Sequence, residues 1–129
     1  DRREPSFTDL KPGSQQFHIV TMPCAGTIQE FCAAARARSA RQTAFIQSEL
    51  ENDALIYFSC LPWLELTALT NERDFRPDDA IPRLAWGKYT EVDGRLKLHI
   101  SMELNHAFAD GLHMGLFHQE LTRLIDALP

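Results

Sequence analysis

From Arg95 to Asn105 the chain alternates without a slip. Leu96, Leu98, Ile100, Met102 and Leu104 interleave with Arg95, Lys97, His99, Ser101, Glu103 and Asn105. Successive side chains of a β-strand point to opposite faces, so this run can bury its apolar set only as a strand with one face on a core. The Asp93-Gly94 pair just before it suits a two-residue turn whose central positions need positive φ. With Leu84–Val92 ahead of that turn, residues 84–105 are predicted to form a β-hairpin. Its second face, carrying Arg95, Lys97 and His99, is left to solvent or to a partner subunit.

The rest of the chain supplies companions for that hairpin. Ser6–Leu10 and the alternation begun by Phe17, Ile19 and Thr21 read as extended, separated by a turn at Lys11-Pro12-Gly13-Ser14. Thr27 followed three residues later by Glu30 is a capping-box pattern. From there Ile28, Phe31, Cys32, Ala35, Phe45, Ile46 and Leu50 recur at helical spacing, which predicts one long helix, irregular around the weakly apolar 36–42 stretch. Leu55–Leu61 reads as a buried strand, Leu64–Thr70 as a further strand, and the charged Asn71–Pro82 stretch, with Pro77 and Pro82, as a loop. Phe117, Leu121, Leu124, Ile125 and Leu128 form the stripe of a last helix. Strands and helices in this order predict an α/β fold: one domain over 1–129, a mixed β-sheet with helices packed on one face, a two-layer sandwich.

Composition narrows the function. The 129 residues carry a formal charge of −5, and no basic cluster with interleaved aromatics marks a nucleic-acid face. Arg36, Arg38 and Arg41 fit a solvated helix face. No apolar run is long enough to span a membrane, and the chain starts at Asp1 rather than Met. Cys24, Cys32 and Cys60 are odd in number and lack metal-ligand spacing, which predicts a reduced, cytoplasmic protein without disulfides or structural zinc. A metal site from His99, His106, His113 and His118 with Asp110 fails on spacing. His113 and His118 would sit about 140° apart around a helix. Phe58, Trp63 and Trp86 fit either a pocket or the core.

The segment best suited to chemistry is Asn105-His106-Ala107-Phe108-Ala109-Asp110-Gly111. A histidine at the end of a strand can take and return a proton near neutral pH, which is what a general base must do. The same residues also fit a structural reading, in which His106 ends a strand and Asp110 is the N-cap of the last helix.

That segment, followed by Leu112-His113-Met114-Gly115, resembles the His-His-x-x-x-Asp-Gly motif of the chloramphenicol acetyltransferases. Pro62-Trp63, Gly87-Lys88-Tyr89, the Asp93-Gly94 turn and Asp1 with Pro5 match that family's pattern in order and spacing. The resemblance implies an acetyl-CoA-dependent O-acetyltransferase in which His106 deprotonates the hydroxyl of a small acceptor such as chloramphenicol. It also implies that Asp110 is structural, pairing with an arginine of the family's N-terminal portion, that Asn105 supports the site, and that Lys88 and Tyr89 contact the CoA arm. No metal is implied, and the assembly implied is a homotrimer with active sites between subunits. Against the family pattern, Asn105 replaces the first His, while Ala68 and Ala85 stand where an oxyanion-binding serine and a water-holding threonine are expected. Thr67 and Thr70 are candidate replacements, although strand alternation would turn Thr67 away from the side of residue 68. The family's N-terminal portion has no counterpart in these 129 residues. A second reading is a non-catalytic or weakly active relative that binds CoA or serves as an assembly module.

Overall fold

The computed structural model describes residues 2–72 and 78–128. Asp1, Pro77 and the middle of the expected 71–82 loop lie outside the described residues. In chain order the elements are β1 (Glu4–Leu10), β2 (Phe17–Thr21), α1 (Ile28–Arg41), a 3-10 turn at Ser48–Leu50, β3 (Leu55–Cys60), β4 (Arg83–Trp86), β5 (Thr90–Val92), β6 (Arg95–Lys97), β7 (Ile100–Glu103) and α2 (Gly111–Asp126). Five strands form one sheet in the order β2-β1-β3-β4-β7, and β5-β6 is a separate ribbon. The sheet is mixed. β1 runs parallel to β3 and β3 to β4, while β2 and β7 close the two ends antiparallel.

Register assigns the faces. Phe7 pairs with Val20 and Phe58, and Phe58 with Leu84, which faces Met102. This is the apolar face, where Val20 and Leu84 are buried, while Leu55 is buried on the opposite face. Helix α1 lies over its β1-β2-β3 end. A polar chain fastens it there: the buried His18 places Nε2 2.8 Å from Oγ of the buried Ser39, which donates to Oδ2 of the exposed Asp9 at 2.5 Å. Because the serine proton goes to the carboxylate, His18 must donate from Nε2. The opposite face carries Ser6, Thr21, Tyr57, Arg83, Ala85, Ser101 and Glu103. There Ser6 and Thr21 share a hydroxyl–hydroxyl bond of 2.9 Å.

Helix α1 opens as the Thr27/Glu30 spacing predicts, with both halves of the capping box formed. Thr27→Ala should therefore destabilise the fold by about 1 kcal/mol, read as a lower midpoint in urea unfolding. The helix is shorter than expected, ending at Arg41 instead of reaching Leu50. Past it the chain returns to the sheet. Ile19 N–H donates to Phe45 O at 2.8 Å, Gln42 Nε2 donates to Ile19 O at 2.6 Å, and the Phe45 ring meets Phe17 edge-on at 5.3 Å. Phe45 gains more against β2 than on a helix whose intervening turn is almost wholly polar.

Two strand expectations need correction, and both involve residues 64–70. Leu64–Thr70 is not a strand. Both edges of β4 are paired, by β3 and β7, and this segment crosses the sheet face, where its carbonyls find other donors. Leu64 O accepts Lys88 N–H at 2.6 Å, Leu66 O lies 3.1 Å from His99 Nδ1, and Leu69 O accepts from Ser101 Oγ at 2.9 Å. The same bonds interrupt the expected continuous hairpin. Its arms survive as β4 with β7 and β5 with β6, parted where Lys88 N–H turns to Leu64. The turn itself is as expected, with Asp93 at φ 53° and Gly94 at φ 74°. Ile100 and Met102 share the face of Trp86 and Leu84, whereas Leu96, in the detached ribbon, stays 69% exposed.

Candidate active site

His106 sits in a tight turn between β7 and α2 that is tied at both ends. At the first end Asn105 makes four bonds with described residues. Its Oδ1 accepts Ala107 N–H at 3.0 Å, its carbonyl accepts Phe108 N–H at 3.0 Å and Ala109 N–H at 3.2 Å, and its Nδ2 donates to Asp79 O at 3.0 Å. At the other end Asp110 caps α2 in the way the spacing predicts. Its Oδ1 accepts Leu112 N–H at 3.0 Å and His113 N–H at 3.3 Å. Between these anchors the imidazole of His106 is exposed. A side chain free to meet solvent on a backbone that cannot turn freely is the arrangement a general base on a loop requires.

Two groups deepen the anchorage. Asp79 carries more than the Asn105 bond, because its Oδ2 accepts from Arg83 at 2.8 Å, and the Arg83 guanidinium lies 5.5 Å from the centroid of the Tyr57 ring. Tyr57 donates to Glu51 Oε2 at 2.6 Å. Burial, then that bond to a carboxylate, pushes its phenol up to about 12, so it stays protonated through the working range. At the Asp110 end the carboxyl is held below its ordinary 3.8, first by the His113 backbone amide and then by the His113 side chain. A depressed carboxylate adds stability above its unfolded value, and that stability is lost as the pH falls through the lower folded value. The first turn of α2 should therefore fray on acidification below about pH 4. Circular dichroism at 222 nm should show this loss in the native chain, and Asp110→Asn should blunt it.

The remaining residues named from the sequence lie elsewhere. Lys88 and Tyr89 are exposed beyond the Trp86 end of β4, whereas His106 follows the Glu103 end of β7, which pairs with Arg83. The paired β4-β7 stretch alone sets these ends about 10 Å apart. Thr67, Ala68 and Thr70 are exposed on the irregular crossing segment. Without a strand there, the alternation that turned Thr67 away from the side of residue 68 no longer applies. Ala85 is 2% exposed, with Ser59 and Ser101 as its register partners on the same face. Those two hydroxyls, and the contact of His113 with Asp110, were not read from the sequence. The pairing of Ser59 and Ser101 with Ala85 depends on register between separate strands. His113, three residues after the cap, was legible as a capping-box position.

Two of the grooves on the sheet are roomy. One, of about 590 Å³, runs between α1 and the apolar face and is lined by Phe7, Phe31, Ile56, Phe58 and Trp86 among others. Phe58 and Trp86 meet there edge-on, so they serve the sheet face and the groove together. The other, of about 460 Å³, is lined by Thr8, Phe17, Ser59, Pro62 and the exposed Trp63. Among the described residues no three His, Cys, Asp or Glu side chains are grouped so as to hold a metal ion. Cys24, Cys32 and Cys60 are all free thiols, and burial pushes the Cys60 thiol up.

Comparison with known proteins places the chain in a family. The profile of the family described as chloramphenicol acetyltransferase matches residues 1–122. The chain belongs to the chloramphenicol acetyltransferase family. A chloramphenicol acetyltransferase of Streptomyces acrimycini is 32% identical over 124 residues, covering 94% of this chain and 56% of that protein. One from Clostridium perfringens is 25% identical over 130 residues, covering 98% of this chain and 63% of the relative. The chain thus spans about three-fifths of the length of these relatives. Among solved structures, a chloramphenicol acetyltransferase superposes with a TM-score of 0.77 at 23% identity, over 91% of this chain and 58% of that one. A dihydrolipoamide acetyltransferase of Azotobacter vinelandii gives 0.66 at 18% identity, over 97% of this chain and 54% of its own. These likenesses are of fold, and the fold is the expected α/β mixed sheet with two helices among the described residues; α1 lies on the sheet as expected, whereas no residue of α2 is buried. No helix among the described residues is long and apolar enough to cross a membrane.

Proposed function

We propose that this chain serves in an acetyl-CoA-dependent O-acetyltransferase whose acceptor is a hydroxyl of a small, chloramphenicol-like molecule, with His106 as general base. The observation that carries this reading is the exposed His106 on a turn anchored by Asn105 and Asp110, in a chain of this family. The imidazole takes the acceptor's hydroxyl proton as the oxygen attacks the thioester carbonyl. The tetrahedral intermediate then expels CoA thiolate, which recovers the proton from the imidazolium. Lys88 and Tyr89 would contact the CoA arm, and Asp110 and Asn105 would hold the turn. A donor to the developing oxyanion is worth about a hundredfold to a thousandfold in rate. With Ala68 at the expected serine position, Thr67 or Thr70 would supply it.

One chain cannot easily complete such a site, since His106 and Lys88 lie toward opposite ends of the β4-β7 pair. A second copy would bring one chain's Lys88 end to its neighbour's His106, which favours a homotrimer with active sites between subunits. We place the protein in the cytoplasm, where acetyl-CoA and reduced thiols coexist.

Ala68 and Ala85 favour a second reading, a relative that binds CoA or acts as an assembly module without transfer. A thiol-release assay on the longest natural form of the protein, with acetyl-CoA and chloramphenicol, separates the two. Release that requires the acceptor and disappears in His106→Ala supports the enzyme. Bound CoA with no acceptor-dependent release, in folded protein, supports the module.

A further inference from the structure

We propose that His113 is a positioning residue for the transfer reaction, holding the His106 turn in place by closing a ring with Asp110 at the start of α2. The inference rests on His106 being the base. Its own evidence is geometric. His113 Nδ1 lies 2.8 Å from Asp110 Oδ1 and 3.2 Å from Asp110 N, while the His113 amide donates to the same Oδ1 at 3.3 Å. One nitrogen thus faces an acceptor and a donor on a single residue. As a neutral ring with its lone pair on Nδ1 it accepts the Asp110 N–H. With a proton on Nδ1 it donates to the carboxylate. The second arrangement is the stronger, because Nδ1 lies nearer the carboxylate oxygen than the amide and a bond to an ionised acceptor is charge-assisted.

The residue type matters at this position. The usual third residue of a capping box is Glu or Gln, reaching back to the cap's amide. Here the cap is itself an aspartate, and a glutamate would set two carboxylates side by side. Histidine closes the ring without that repulsion. Asp110 is four residues from His106, and the intervening Ala107, Phe108 and Ala109 amides are all held by Asn105. Loosening the Asp110 end therefore leaves the turn held from one side only.

The test compares His113→Ala with His113→Gln in the longest natural form of the protein. Glutamine keeps an acceptor for the amide and a donor for the carboxylate, and alanine keeps neither. His113→Ala should lower kcat about tenfold with KM for acetyl-CoA and acceptor unchanged, and His113→Gln should recover most of that loss. A purely structural role would instead lower melting temperature and raise both KM values together. The second arm does not depend on turnover. Amide NMR of 15N-alanine-labelled protein should show Ala107 and Ala109 shifting in His113→Ala and returning in His113→Gln. Unmoved alanine amides, or a glutamine variant as slow as alanine, would overturn the proposal. Responsive amides in a wild-type protein that transfers no acetyl group would sink the His106 reading and leave the positioning of the turn standing.

Discussion

His106→Ala should reduce acceptor-dependent acetyl transfer by about 10²–10⁴-fold, the usual worth of a positioned general base, while leaving the fold intact. The stability half of that expectation follows from where the ring sits. His106 is exposed, and none of the described residues hydrogen-bonds its imidazole. The backbone bonds that shape its turn come from Asn105 and Asp110, which the substitution does not touch. A histidine that served only to end β7 would show the reverse pattern, with altered unfolding and unchanged chemistry. Thiol-release kinetics beside a urea melt on the same samples read both quantities. Equal kcat/KM in wild type and variant would remove His106 from the mechanism whatever the fold did.

Gly87→Ala should have the largest effect on stability, a loss of about 1–3 kcal/mol or more, with Lys88 and Tyr89 displaced. A Cβ at residue 87 would lie 2.3 Å from Leu64 O and 2.9 Å from both Leu66 N and Leu66 Cγ. Two of those atoms are backbone and cannot rotate away. Gly87 is also buried where Lys88 N–H binds the Leu64 carbonyl, so relief requires moving the whole crossing segment. Gly115 makes the contrast, because nothing lies within 4 Å of its missing Cβ. It is inside helix α2, so Gly115→Ala should stabilise by about 0.5–1 kcal/mol. Both are read from midpoints of urea unfolding. A Gly87→Ala protein as stable as wild type would show that the crossing segment does not press on β4.

Short-range physics was legible in the residues themselves. The Thr27/Glu30 box, the Asp93-Gly94 turn, the Asp110 cap and the strand character of Leu55–Cys60 each depend on a few neighbouring residues, and each is found in place. The candidate base was legible for the same reason, since a histidine between an alternating strand and a cap position is a local pattern. What the tertiary structure decided was everything that depends on competition for partners. Residues 64–70 have strand-like composition, but their carbonyls bond Lys88 N–H, His99 and Ser101, so they cross the face and split the hairpin. Phe45 has helical spacing from Phe31, but the Phe17 ring and the Ile19 amide draw it to the sheet. Alternation said that Leu96 has an apolar side, and only the folded chain shows that side exposed, on a ribbon detached from the sheet. Periodicity states which face a segment can bury. Which surface it meets is settled by the other segments seeking the same hydrogen bonds.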